Sequence, residues 1–228
     1  METWREELYL SHTGIPNMKW GVRRFQNYDG SLTPEGRKRY GVGEPRSAKH
    51  AEEIAKHAAR KEPKISKDVR SAVEKYGSKM YGFENRLKTK ESIQRKIETD
   101  TPDIKDAVRY TSLTSDKDFV KNYFHVKEDL ENKGYQEVKC KNNWDAYQKG
   151  LVKHKSVQSV FKDPDGYLFE IQFHTPDSQK AKNDKIPLYE EVRKPDVTAE
   201  RKAEIERQME LLAEKVQDPK DIKKIKSH

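Results

Sequence analysis

Three groups of residues in this chain could do chemistry together. The first is Arg86-x-Lys88-x-x-x-Ser92-Ile93-x-x-Lys96. Residues 85–97 suit a helix, and on a helix positions 88, 92 and 96 recur every fourth residue and share a face, with Arg86 nearby. Two ammoniums and a hydroxyl in a row suit a polyphosphate, while a guanidinium stacks on a base or forks onto phosphate oxygens. A solvated basic helix face has the same pattern. The second group is Asp106-Ala-Val-Arg109, an acid and a base entering a β-like run that reaches Leu113. The third is Glu170, Gln172 and His174, which alternate with Phe169, Ile171 and Phe173. On a strand the two sets point to opposite faces, so a carboxylate, an amide and an imidazole stand in line above an apolar row. Two carboxylates on separate strands can hold Mg²⁺ against phosphate oxygens. The alternative for the third group is a half-buried antiparallel strand with a wet outer face.

The elements that position these groups are readable in outline. Asp163-Pro164-Asp165-Gly166 separates one β-like run, Ser156 to Phe161, from another, Tyr167 to Thr175, which predicts a hairpin. Upstream, Val69, Val73, Tyr76 and Met80 recur at helical spacing until Gly82. Ser115 with Asp118 offers a capping box for a helix with apolar positions Phe119, Tyr123, Val126 and Leu130, stopped by Gly134. A short strand from Tyr135 to Lys141 and a loop to about 150 lead into the hairpin. The fold class expected is α+β: a mixed sheet flanked by helices. Thr198 can cap a last helix with Ile205, Met209, Leu212 and Val216 on one face, a stripe that suits docking to the core or to a partner helix.

Composition divides the 228 residues. Hydrophobic residues make up 32% and charged residues 38%, too little apolar surface for one core through the whole chain. Four segments are expected: an irregular leader at 1–45, rich in Gly, Pro and aromatics; a helical linker at 46–64; the folded domain at 65–193; and a C-terminal helix with a basic tail at 194–228. A net charge of +8 favours anionic partners such as nucleotides or nucleic acid. The lone Cys140 excludes an intramolecular disulfide and a cysteine-rich zinc site, and reads as core filler. No apolar run reaches the ~18 residues of a membrane helix, and the first residues are too polar for a signal peptide. No membrane partner is expected.

In their order, these motifs resemble the RelA/SpoT-like alarmone synthetases, whose synthetase domain carries R-x-K-x-x-x-S, an aspartate strand ending in arginine, a K-D-Y-I loop, a G-Y-Q-S-L-H strand and a V-E-I-Q-I-R-T strand. Arg86, Lys88, Ser92 and Lys96 match the first, and Phe169 to Thr175 match the last closely. The resemblance spans roughly 80 to 180 and implies a nucleotidyltransferase-like fold. It implies transfer of the β,γ-pyrophosphate of ATP to a ribose 3′-hydroxyl. Arg86, Lys88, Ser92, Lys96 and Arg109 would bind ATP and its phosphates, and Asp106 and Glu170 would share Mg²⁺, with Glu170 near the attacking hydroxyl.

The departures concern the acceptor. Ile104 occupies the family's aspartate position; Asp106, two residues on, keeps strand parity, and Asp103 is the fallback. Lys141-Asn142-Asn143-Trp144 matches K-D-Y-I only loosely. His154 replaces the tyrosine that stacks on a guanine, Gln158 replaces the histidine after it, and His174 replaces the last motif's arginine. The acceptor side then falls to His154, Gln158 and Gln172, consistent with an adenine nucleotide, an RNA 3′ end as in toxic relatives, or lost activity.

The leader from Ser11 to Tyr40, with Trp20, Arg23, Arg24 and Phe25, resembles a module attached to tailed-phage head proteins and their associated toxins. It implies a phage-encoded, virion-associated protein, a toxin on host nucleotides or RNA, found in the virion or host cytoplasm and docked to capsid proteins through the leader. The alternative is a non-enzymatic virion component or nucleic-acid-binding module on a degenerate form of the same fold.

Overall fold

The computed structural model describes residues 25, 33–40, 46–99, 104–192, 194 and 196–228. Trp20, Arg23 and Arg24 of the leader and the fallback Asp103 lie outside the described residues. The chain divides into two compact units, Met1–Arg46 and Ser47–His228. In the first, helix α1 (Pro34–Tyr40) is capped by Thr33, whose Oγ1 accepts from Gly36 N at 3.0 Å, and Arg39 stacks over the Phe25 ring at 4.9 Å.

The second unit is the expected α+β structure. Strands β1 (Lys79–Met80), β2 (Arg109–Leu113), β3 (Gln136–Asn142), β4 (Val157–Lys162) and β5 (Leu168–His174) form one mixed sheet in the order β1-β2-β5-β4-β3. Only β2 and β5 run parallel; the other pairs are antiparallel. The predicted hairpin is β4–β5. At its turn Asp163 Oδ1 accepts from Asp165 N and Tyr167 N, and Gly166 takes φ 91°, a left-handed conformation open to glycine.

One sheet face carries the core. Phe169, Ile171 and Phe173 of β5 are buried with Tyr110, Val157 and Phe161. Against them lie α2 (Arg46–Glu74), through Ile65, Val69 and Val73, and α4 (Phe119–Glu131), through Phe119, Tyr123, Val126 and Leu130. Gly134 ends α4 as expected, at φ 87°, where Tyr135 N donates to Leu130 O at 3.0 Å. Cys140 is buried in the same core.

Four expectations are corrected. The stretch 46–64 and the periodic pattern after it form one helix, α2, with Pro63 inside and Ala51 and Ala58 buried in the core. Alanines need only a thin stripe to dock closely. The helix expected over 85–97 is instead α3 (Lys90–Thr99), because Leu87 bridges to Val108 and Thr89 Oγ1 caps the helix by accepting from Ser92 N at 3.2 Å. The loop after β3 contains α5 (Asn143–Gln148), capped by the Asn142 side chain. Finally, the far face of β5 is not wet along its length: Gln172 and His174 are buried there beside α6 (Pro176–Val192). Helix α7 (Ala199–Glu214), capped by Thr198, then packs on α6; Ile205 and Met209 of the helix and Val216 just beyond it are buried. Among the described residues no helix is long and apolar enough to cross a membrane.

Candidate active site

Asp106 stands just before β2 rather than within it, and two lysines meet on its carboxylate. Lys88 Nζ donates to Oδ2 at 2.5 Å and Lys96 Nζ to Oδ1 at 3.0 Å. Lys88 and Lys96 do not share a helix face. Lys88 lies in the extended segment that runs beside Asp106–Arg109, with Lys88 N donating to Ala107 O at 2.9 Å and Arg109 N to Arg86 O at 2.8 Å. Lys96 descends from α3. Burial pushes the Asp106 carboxyl up, but the two ammoniums outweigh it and hold it below its ordinary value. Burial pushes the Lys88 ammonium down, more than Asp106 draws it up.

Glu170 shares a cavity of about 170 Å³ with Asp106. On the sheet it sits in register with Arg109 of β2 and Val160 of β4. Burial raises its carboxyl above the ordinary range and nearby Asp106 adds to this, against the amide of Gln172 and the charge of Arg109. Lys96, Lys105, Lys139 and Lys141 complete a cationic wall, with Gln158 and Val160 as the floor. Lys139 and Lys141 were missed from the sequence, although they alternate on β3 and register with Val160 and Gln158. That period of two was the available signal.

Further along β5 a second cavity, of about 180 Å³, brings together all three residues assigned to the acceptor: His154, Gln158 and Gln172. His174, Ser156 and Lys155 line it too, and α6 supplies Ser178, Ala181, Lys182, Lys185 and Tyr189, with Ala213 from α7. Among the described residues no carboxylate lines it. Burial, then the charges of Lys185, Lys182 and Lys141, lowers the His154 imidazole below its ordinary value. Burial drives His174 well below, aided by Lys182, His154 and Arg109. Both imidazoles are therefore neutral near pH 7, and His174 Nδ1 bonds Ser178 Oγ at 2.9 Å. Burial brings Lys182 and Lys185 each down to about 8.

Of the first motif only Lys96 lines a cavity; Lys88 reaches the site through Asp106, and Arg86 and Ser92 stand apart. Arg86 donates through Nε to Glu62 and through Nη1 to Phe83 O at 3.2 Å, with its guanidinium 4.4 Å over the Phe83 ring. Ser92 Oγ accepts from Thr89 Oγ1 at 3.1 Å at the start of α3. Neither lines either cavity.

No protein-family model matches the chain, and no curated protein does. Among solved structures, similarity is found to small alarmone synthetase 2 from Bacillus subtilis, at 17% identity and TM-score 0.49, covering 71% of this chain and 88% of that one. The complex between the type VI effector Tas1 and its immunity protein matches at 20% identity and TM-score 0.47, covering 73% and 95%. A GTP pyrophosphokinase family protein from Streptococcus pneumoniae matches at 18% and 0.47, covering 71% and 82%.

Proposed function

We propose that residues 65–193 form a RelA/SpoT-like synthetase domain that transfers the β,γ-pyrophosphate of ATP to a ribose 3′-hydroxyl of a nucleotide or an RNA end. The observation that carries this reading is the convergence of Lys88 and Lys96 on Asp106 at the rim of the cavity that holds Glu170. Residues from three separate motifs thus meet at one polyphosphate-sized cationic site. The second cavity, along the same strand, is where the acceptor would lie.

The chemistry asked of these residues is positioning and charge neutralisation. Lys88, Lys96, Lys139 and Lys141 balance the phosphate oxygens of ATP, and Arg109 adds a further charge beside Glu170. The acceptor 3′-oxygen forms a bond to the β-phosphorus, the bond from that phosphorus to the α,β-bridging oxygen breaks, and AMP leaves. Glu170 takes the hydroxyl proton; a buried carboxyl with a raised proton affinity is a better base than an exposed one. His154 and Gln158 face the acceptor, and the cavity's lysines favour one that carries phosphate. Among the described residues no cluster of three or more His, Cys, Asp or Glu could hold a metal. The two carboxylates of Asp106 and Glu170 nevertheless suit magnesium, which takes one or two protein carboxylates and completes its shell with water and phosphate. Bound there, Mg²⁺ would neutralise charge on the transferred group.

The resemblance of Ser11 to Tyr40 to phage head-protein modules supports a virion-associated setting for this activity, with toxicity to the host as its outcome. The deciding experiment incubates the protein with γ-labelled ATP, Mg²⁺ and GDP, GTP, ADP, ATP or tRNA. Label is expected on at least one acceptor, falling about 100-fold or more in Glu170→Gln. Transfer to none of them, with no ATP-induced thermal shift, would sink the reading in favour of a structural or nucleic-acid-binding module.

A further inference from the structure

Gln172 is tied at both ends of its amide. Its Nε2 donates to Glu170 Oε1 at 2.5 Å, and its Oε1 accepts from Lys182 Nζ at 2.6 Å. The direction of this chain is fixed by chemistry: an ammonium only donates and a carboxylate only accepts, so the amide between them has one workable orientation. Turned over, it would set NH₂ against NH₃⁺ and a carbonyl against a carboxylate. Lys182 and Glu170 together therefore fix the amide at both ends.

The elements hold the chain firmly. Glu170 and Gln172 are on β5, in register with Val160 and Gln158 of β4 and with Arg109 and Thr111 of β2. Helix α6 follows immediately, and its start is pinned by Ser178 N donating to Thr175 Oγ1 at 3.2 Å and Thr175 N donating to Ser178 Oγ at 3.0 Å. That return places Lys182 back over the strand it came from. Lys182 and Gln172 line the second cavity, while Glu170 lines the first. The bridge thus runs from one cavity to the other.

We propose that Lys182 is a positioning residue that acts through Gln172 on Glu170, so that the helix wall of the second cavity sets the carboxylate in the first. With its Oε1 held by the Lys182 ammonium, the Gln172 amide keeps Nε2 on Glu170 Oε1 and leaves the other carboxylate oxygen turned to the acceptor hydroxyl. Gln172 is then a bridge rather than a direct acceptor ligand. The proposal rests on the assignment of Glu170 as the reacting group, and its test includes a readout that does not need turnover.

That readout is the side-chain NH₂ signal of Gln172 in ¹⁵N-labelled protein, assigned by its loss in Gln172→Met. A short bond to a carboxylate moves one amide proton to low field. The shift is expected to shrink in Lys182→Met, where the amide is held at one end only, and persist in Lys182→Arg; an unchanged signal in Lys182→Met overturns the proposal. In the transfer assay, kcat is expected to fall on the order of 10- to 100-fold in Lys182→Met with little change in KM for ATP, and to recover in Lys182→Arg. Adding Lys182→Met to Gln172→Met should cause no further loss, whereas full additivity would show Lys182 acting elsewhere and overturn the relay. If Lys182→Met does not fold, Lys182→Leu, which also lacks a donor, carries the same comparison. A wild-type protein without transfer activity fails the synthetase reading alone, and the NH₂ signal still decides whether the bridge exists.

Discussion

At Asp106 one carboxylate separates two ammoniums that would otherwise face each other. The Lys88 and Lys96 side chains are 17% and 31% exposed, so water screens them only in part. Asp106→Ala should therefore lower unfolding stability by about 2–4 kcal/mol in urea titration, more than an exposed ion pair is worth. Asp106→Asn keeps an oxygen for one lysine and should cost less. Equal losses in the two variants would mean that packing, not charge, is what Asp106 supplies. The triangle also shows how the site was legible at this scale. Lys88 and Lys96 were expected at a phosphate and Asp106 at a metal; the three meet, but through a bridge beside β2 and not along a helix. Lys139 and Lys141 were hidden because nothing in β3 alone tells which of its faces looks onto Glu170.

Among the elements, strong local chemistry was legible and tertiary burial was not. The β4–β5 hairpin follows from Pro164 and Gly166, and the stop of α4 from Gly134. At Gly134 a side chain would be placed in a left-handed backbone with its Cβ 3.4 Å from Pro164 Cγ. Gly134→Ala is expected to cost about 1–2 kcal/mol, read as a lower melting temperature with an unchanged circular dichroism spectrum. A neutral substitution would mean the turn has another conformation available. The continuity of α2 through Pro63 was not legible, because its upper half docks through alanines that score as weakly apolar. Nor was the cover over Gln172 and His174. That depends on α6 folding back across β5, where Ser178 meets His174 and Lys182 meets Gln172, contacts that the alternation of the strand does not announce.

For the whole molecule, the chain divides at Arg46 into two units. Every residue of both cavities belongs to the second unit. A chain beginning at Ser47 is therefore expected to fold alone, with a melting temperature within a few degrees of the full chain and the same labelled-ATP transfer. A collapse of cooperative melting would show that the first unit is needed for the second to stand. The sheet of that unit has a further property. Its outer strand on one side, β3, exchanges backbone bonds with His228: Cys140 N donates to His228 O at 3.1 Å and His228 N to Cys140 O at 3.0 Å. The Asn142 amide group grips Ile222 O and Ile225 O, and Asn142 N donates to Ser227 Oγ, so this segment is fastened along the edge. On the other side β1 offers only Lys79 and Met80. A sheet with open borders has to avoid zipping to its own copies strand by strand. Here one border is already stitched shut and the other is too short to start a seam.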